Sequence, residues 1–124
     1  MTKANGFEDL KIWQLARELV RVIYLETSES AFAKDSALRD QMRRAAVSSM
    51  ANIAEGFERG SQRDFMRFLY MARGSAGEVR SHLYVARDLG YIGPPIFDKI
   101  HRQAVEVSKA IFGFIKYLNT PKEK

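Results

Sequence analysis

Residues 43–65 read RRAAVSSMANIAEGFERGSQRDF, and this stretch decides the fold. Its first half is a run of small residues interrupted by Asn52 and Glu55, and its second half carries a Gly-Ser break flanked by arginines. Glycine accepts the left-handed conformation that ends a helix, and Ser61 with an aspartate three residues later resembles a capping box. The stretch therefore predicts the end of one helix and the start of the next.

Apolar residues recur at three- and four-residue spacing along the rest of the chain, with no sustained alternation. Short second and third connections favour antiparallel neighbours, so we expect an all-α protein, an antiparallel up-down four-helix bundle. A three-helix domain with a swapped fourth helix is the alternative. The prediction is one domain, residues 1–124, with helices over about residues 7–29, 36–58, 62–89 and 95–119.

The positive charge of the chain is concentrated in its middle. The 124 residues carry a net charge of +5, and positions 39–87 hold nine arginines and no lysine against five acidic residues. Such a field attracts phosphate backbones or an acidic protein, although a charge run is more often a solvated face. The candidate nucleic-acid contacts are Arg43, Arg44, Arg59, Arg63, Arg67, Arg73, Arg80 and Arg87.

Several classes of function are disfavoured by composition. The chain has no cysteine, which excludes disulfides, thiol catalysis and zinc-thiolate sites. No run approaches the roughly 20 apolar residues of a membrane span, and the start lacks a signal-peptide pattern, so we expect a cytoplasmic protein without a membrane partner. His82 and His101 have no nucleophile or orienting acid at suggestive spacing. We expect no enzymatic activity, no catalytic residue, no cofactor and no metal.

The polar residues of the opening stretch have a structural and a catalytic interpretation. In the first, Asn52 bonds across helices, Glu55 pairs with Arg59 or with an arginine on another helix, and Ser61 caps a helix. In the second, Glu55 is a general base or a metal ligand. A single carboxylate without a facing partner gives that alternative little support, so we assign all three a structural role. Small residues in the same stretch, and again at 74–77, indicate tight packing.

A second apolar surface lies outside the predicted cores. Helix 7–29 looks apolar over too wide an arc, and helix 62–89 carries an apolar strip away from its core stripe. Contiguous exposed apolar area usually marks a partner site, so we expect self-association. The strip on helix 62–89 could instead bind RNA, since tyrosines stack on bases and arginines bind phosphates. The candidate interface residues are Ile12, Leu15, Leu19, Val22, Met66, Tyr70, Gly77 and Tyr84.

Two blocks of sequence resemble a known family. They are FEDLKIWQLARELV near the start and QMRRAAVSSMANIAEGFERGSQRDFMRFLYMARGSAGEVRSHLYVARDLGYI in the middle. Both are similar to the four-helix-bundle proteins encoded within intervening sequences of bacterial 23S rRNA genes, sometimes labelled a ribosomal-protein family. The resemblance covers about residues 7–92. Met50 stands where that family often has proline, so we expect an unbent helix there.

The resemblance implies a fold, an assembly and a function. The fold is an antiparallel four-helix bundle that assembles into a ring, a pentamer, without enzymatic activity. The family is also distantly similar to the accessory protein of diversity-generating retroelements, a pentameric barrel that binds nucleic acid and a reverse transcriptase. We therefore expect a basic homo-oligomer that binds RNA or associates with rRNA or ribosomes. The alternative is an oligomeric scaffold that recruits another protein without binding nucleic acid.

Overall fold

The computed structural model of the chain describes residues 4–121, which form helices and no strand. The all-helical prediction is confirmed. Within the same residues, no helix combines the length and the hydropathy that crossing a membrane requires. A 3₁₀ turn comes first, and five α-helices follow: α1 (Lys11–Glu26), α2 (Ser30–Lys34), α3 (Ser36–Glu58), α4 (Gln62–Asp88) and α5 (Pro94–Asn119).

The four long helices pack side by side. Helix α1 contacts α3 and α5, and α4 contacts the same two helices from the other side. Helices α4 and α5 are antiparallel, because Gln62 at the start of α4 donates from Nε2 to the carbonyl oxygen of Leu118 late in α5, at 2.7 Å. Tyr84, late in α4, meets Phe97 early in α5 with ring centroids 5.0 Å apart. This is the neighbour pattern of an up-down bundle.

The turn between α3 and α4 follows the capping signals in the sequence. Gly60 has φ +84°, the left-handed conformation that glycine adopts without a steric penalty. The Ser61 side-chain oxygen accepts a hydrogen bond from the backbone N–H of Asp64 at 3.1 Å, which satisfies a free amide at the start of α4. Helix α3 runs without interruption through Met50.

The connection between α4 and α5 is tied to the start of α3. Gly90 has φ +76°, and the N–H of Tyr91 donates to the carbonyl oxygen of Ala86 at 2.9 Å, as in a Schellman ending. The Tyr91 hydroxyl donates to Oδ2 of Asp35 at 3.0 Å. This hydrogen bond raises the pKa of Tyr91, because the carboxylate favours the protonated phenol.

The first helix differs from its prediction in length and in its buried face. Residues 7–29 do not form one helix: a 3₁₀ turn at Phe7–Asp9 precedes α1, and α1 ends at Glu26. Placing Ile12, Leu19 and Val22 outside the core was wrong, since all three are buried within the chain. The reason is that α1 contacts two long helices, so its wide apolar arc is enclosed on both sides.

Two other residues of α1 complete this correction. Leu15, also predicted at an interface, is half-buried and packs against the core. Tyr24, by contrast, is 42% exposed. The core therefore lies on the side of α1 that includes the residues assigned to a partner, and the surplus apolar surface expected there is largely internal.

The short helix α2 was not predicted, and it adds a buried aromatic side chain. Phe32 is among the largest fully buried residues, and its ring lies 5.4 Å from that of Tyr91 between centroids. Because α2 packs on α3, Phe32 closes the end of the core at which α1 ends and α3 begins.

The contact between α3 and α4 is made close by small residues, and we call it the α3–α4 seam. A Cβ at Gly56 would lie 2.7 Å from the Cβ of Phe68, nearer than side chains approach. Further along the same contact, the hydroxyls of Ser48 and Ser75 are 2.9 Å apart and form a hydrogen bond between the two helices. The packing prediction holds for Gly56.

Candidate nucleic-acid interface and docking surface

Arg43 is held inside the subunit. Its Nε donates to the Thr27 hydroxyl at 2.8 Å, and its Nη2 donates to the Ser28 hydroxyl at 3.1 Å. The guanidinium also lies over the Tyr24 ring, 4.5 Å from the centroid. These contacts fasten the end of α1 to α3. Arg43 is therefore a structural residue, and we remove it from the candidate nucleic-acid contacts.

Two arginines enclose Phe68 at the α3–α4 turn. The guanidinium carbons of Arg59 and Arg67 lie 4.8 and 4.7 Å from the Phe68 ring centroid. Each also pairs with an acid, Arg59 with Glu55 at 2.9 Å and Arg67 with Asp64 at 3.6 Å. Because these ion pairs are exposed, they are weak and leave both cations able to meet an external anion.

Three more cations lie over aromatic rings: Arg73 and Arg87 of α4 and Lys116 of α5. Arg73 lies over Phe112 at 4.5 Å, and Lys116 lies over the same ring at 5.7 Å. Arg87 lies 4.9 Å from the rings of both Tyr84 and Phe97. A guanidinium stacked by its face still presents its N–H edge outward. The rings therefore position these cations along the outer edge where α4 meets α5.

Two further candidate arginines stand in solvent. Arg44 on α3 and Arg63 on α4 are exposed. Neither side chain makes a hydrogen bond or an ion pair with another residue between positions 4 and 121. Arg63 lies one turn before Arg67, so it extends the basic surface of α4 toward the α3–α4 turn. Arg44 lies on a different helix from the other exposed candidates.

The predicted apolar strip of α4 is divided between core and surface. Met66 is half-buried and packs against the core. Tyr70 is 53% exposed. The Tyr84 ring packs against the ring of Phe97 and against that of His101, with 5.8 Å between the Tyr84 and His101 centroids. Only the tyrosines of this strip present large rings to the outside.

Tyr70 borders a groove between α4 and α5. The groove has a volume of about 310 Å³, near the lower end of the range for small-molecule sites. We call it the α4–α5 groove, and its lining residues are Tyr70, Arg73, Gly74, Gly77, Arg80 and Ser108.

The polar residues of the opening stretch are engaged in local contacts. Asn52 donates from Nδ2 to the Ser48 carbonyl and hydroxyl oxygens, both at 2.9 Å, and Ser48 in turn bonds Ser75 across the seam. Glu55 pairs with Arg59 one turn later. Asn52 therefore bonds within its own helix, so the predicted bond across helices was wrong, whereas Glu55 pairs with Arg59 as expected.

The two histidines are not assembled into a reactive cluster. His82 is mostly covered, and its Nε2 lies 3.7 Å from a carboxylate oxygen of Glu78 on the preceding turn. His101 stacks on Phe97, with ring centroids 5.3 Å apart. In residues 4–121, no three histidine or acidic side chains are grouped as ligands for a metal ion.

Sequence reasoning missed the contribution of α5 to this surface. Phe112 and Lys116 flank Arg73, and Ser108 lines the groove, but none was a candidate. The available signal was Phe112, a large aromatic residue next to the buried Ile111 on α5. The sequence alone did not say which helix would face it.

A family model described as 23S rRNA-intervening sequence protein matches residues 8–113. The chain belongs to this family. The matched region contains every candidate arginine and Phe112 but ends before Lys116, so the basic edge of α4 lies within the family's shared domain. No curated protein shows a significant match to the sequence.

A solved structure shares the fold of this chain. It is a protein of unknown function from the S23 ribosomal protein family of Bacteroides thetaiotaomicron VPI-5482. The two chains superpose with a TM-score of 0.77 at 25% sequence identity, covering 85% of this chain and 95% of that one. The helical architecture is therefore shared over nearly the whole of the other protein.

Proposed function

We propose that this member of the 23S rRNA-intervening sequence family is a non-enzymatic cytoplasmic protein that binds RNA or associates with rRNA through the outer edge of α4. One observation carries the proposal. Cations along this edge are held over aromatic rings, with Arg67 on Phe68, Arg73 on Phe112 and Arg87 on Tyr84. Positioned guanidinium edges suit phosphate oxygens, and the exposed ring of Tyr70 offers a stacking face for an unpaired base.

The binding expected from this surface is electrostatic in origin. Arginines contact the sugar-phosphate backbone, which gives affinity without sequence preference, and ring stacking favours single-stranded segments. Each phosphate neutralised on a single strand contributes about 0.7 to the slope of log affinity against log salt. Affinity should therefore fall steeply as salt rises.

A gel shift with structured and single-stranded RNA across a salt series tests the proposal. The double variant Arg63→Glu, Arg67→Glu should weaken binding and reduce the salt slope by about 1.4, the contribution of two phosphates. The matched control is Arg17→Glu, Arg21→Glu, which makes the same charge change on α1, away from α4. Binding that is absent, insensitive to salt, or weakened equally by both variants contradicts the proposal.

We propose further that copies of the chain associate, as the pentameric ring that the family resemblance implies. The support from α1 is reduced by the burial of its predicted interface, and what remains is the exposed ring surface of α4 at Tyr70 and Tyr84. Light scattering of the purified protein tests this, and a single-chain mass at high concentration contradicts it. Tyr70 is proposed both to stack on RNA bases and to contact another copy of the chain. RNA binding should therefore compete with an assembly that uses this surface.

A protein-recruiting scaffold is the second candidate function. It is favoured by exposed apolar side chains on α3, on α4 and directly after α4, namely Val47, Met71, Val85 and Leu89. Pull-down from nuclease-treated extract separates the two functions, because a directly bound protein stays with the chain whereas a partner bridged by RNA is lost.

A further inference from the structure

The α4–α5 groove has an open floor. Gly74 and Gly77 lie in the middle of α4, and a Cβ at either would meet no neighbouring atom of residues 4–121 within 4 Å. Glycine is unfavourable inside a helix, and these two give no close helix packing in return. The space above them is free for a group from outside the subunit.

Two polar groups at the groove lack partners. Ser108 on α5 is only 9% exposed and lines the groove, yet its hydroxyl makes no hydrogen bond with any residue between 4 and 121. The Nε of Arg80 is buried and likewise has no hydrogen-bond partner among those residues. Buried donors are nearly always satisfied, so the buried Nε of Arg80 indicates a missing acceptor, and the Ser108 hydroxyl is a second free donor at the same groove.

The charge around these donors is positive. Arg73 lines the same groove, held over Phe112, and Lys116 shares that ring. Among residues 4–121, the lining of the groove includes no acidic residue. A ligand that satisfies Arg80 and Ser108 must therefore bring oxygen acceptors, and a negative charge on it would be favoured.

We propose that the α4–α5 groove binds a phosphate group, with Arg80 Nε and Ser108 Oγ as hydrogen-bond donors and Arg73 supplying further charge. Tyr70 stands at the edge of the groove, where its exposed ring can stack on a base attached to that phosphate. The open glycines leave the floor of the groove free for the phosphate. The phosphate comes either from RNA, in which case the inference rests on the proposed function, or from a free nucleotide.

An apolar side chain from a second copy of the chain is a poorer occupant. It would fill the volume but leave Arg80 Nε and Ser108 Oγ without acceptors in a drier environment, which costs free energy. A phosphate group satisfies both donors and offsets the charge of Arg73. Contact between copies at this groove is accordingly an outcome that the test must separate.

Nuclear magnetic resonance of the arginine side chains reports directly on the groove. The Nε–Hε signal of Arg80 should shift on titration with inorganic phosphate and shift further with uridine 5′-monophosphate, whereas uridine alone should leave it unchanged. Ser108→Ala should weaken binding of the monophosphate by about tenfold, the usual effect of losing one hydrogen bond to a charged group. An Arg80 signal that no phosphate compound moves overturns the proposal.

Blocking the groove gives a second test with a matched control. Gly77→Leu fills the floor, while Gly113→Leu adds the same side chain at another open glycine, on α5 outside the lining residues. Gly77→Leu should lower affinity for uridine 5′-monophosphate by at least about tenfold, as expected when a ligand is excluded from its charged hydrogen bonds. Gly113→Leu should bind as the unmodified protein does. Equal affinity of both variants contradicts the site.

The same variants distinguish failure of the site from failure of the proposed function. If RNA binding is lost in Arg63→Glu, Arg67→Glu but unaffected in Ser108→Ala and Gly77→Leu, RNA binds elsewhere on α4 and the groove assignment is wrong. If the monophosphate shifts Arg80 but RNA does not bind, the groove is a site for free phosphate compounds and RNA binding is wrong. If Gly77→Leu instead changes the mass by light scattering without any phosphate effect, the groove is a contact between copies and the proposal fails.

Discussion

The two faces of α4 use small residues in opposite ways. At the α3–α4 seam, Gly56 of α3 lies so near Phe68 of α4 that a methyl group on Gly56 would collide with it. A hydrogen bond between the Ser48 and Ser75 hydroxyls also links the two helices. On the outer side, Gly77 faces open space. The seam is completed by the chain itself, whereas the α4–α5 groove is complete only with something from outside. A small residue therefore indicates close approach, but the approaching group need not belong to the same chain.

The largest effect that tests this comparison is expected from Gly56→Ala. The added Cβ would lie 2.7 Å from Phe68 Cβ and 3.3 Å from the backbone oxygen of Phe65, neither of which is the end of a flexible side chain. Overpacking of this kind outweighs the better helix propensity of alanine, so the free energy of unfolding should fall by about 2 kcal/mol. Urea denaturation measures the change. A variant as stable as the original would mean that α3 and α4 are not as close as described.

The opposite sign is expected for Gly77→Ala. The methyl group meets nothing within 4 Å and alanine favours the helix, so the free energy of unfolding should rise by about 1 kcal/mol. Gly113→Ala, another open glycine in a helix, is the control and should give a similar gain. If Gly77→Ala alone destabilises the protein, a group already occupies the groove in the isolated protein.

Much of the fold followed from periodicity and capping signals, but the buried side of α1 did not. The core stripe of α4 and the cap at Ser61 are set by local sequence, which the chain displays directly. Helix α1 is apolar over most of its circumference, so spacing could not select its inner side, and Ile12 and Leu19 were wrongly placed outside.

The candidate site was predictable only in part, for a related reason. The arginines were visible as a charge cluster, but whether each is free or engaged depends on neighbours distant in sequence. The Arg43 guanidinium donates hydrogen bonds to Thr27 and Ser28, 16 and 15 residues away in sequence. Arg73 is instead positioned by Phe112 on another helix. Sequence showed which side chains could bind phosphate and not which were available.

Ser75→Ala probes the polar part of the seam, with a smaller expected loss. It removes the hydrogen bond between the Ser48 and Ser75 hydroxyls, while the Ser48 oxygen still accepts a hydrogen bond from Asn52. Relative to Ser81→Ala, an exposed serine on the same helix, the free energy of unfolding should fall by about 0.5–1 kcal/mol. Urea denaturation of both variants measures this. Equal free energies of unfolding for the two variants would show that the Ser48–Ser75 hydrogen bond does not stabilise the protein.

The smallest effect on stability should come from Ser108→Ala, which makes it the sharpest contrast with Ser75. Both serines lie in long helices next to another helix, but the Ser108 hydroxyl has no hydrogen-bond partner within residues 4–121. The hydroxyl lines the open α4–α5 groove, where water can bond to it, so its removal should change the free energy of unfolding by less than about 0.5 kcal/mol. A loss as large as that of Ser75→Ala would mean that the hydroxyl is already satisfied in the free protein. Ser108 would then offer no free donor to the groove, and Arg80 would be the only unpaired donor that supports phosphate binding there.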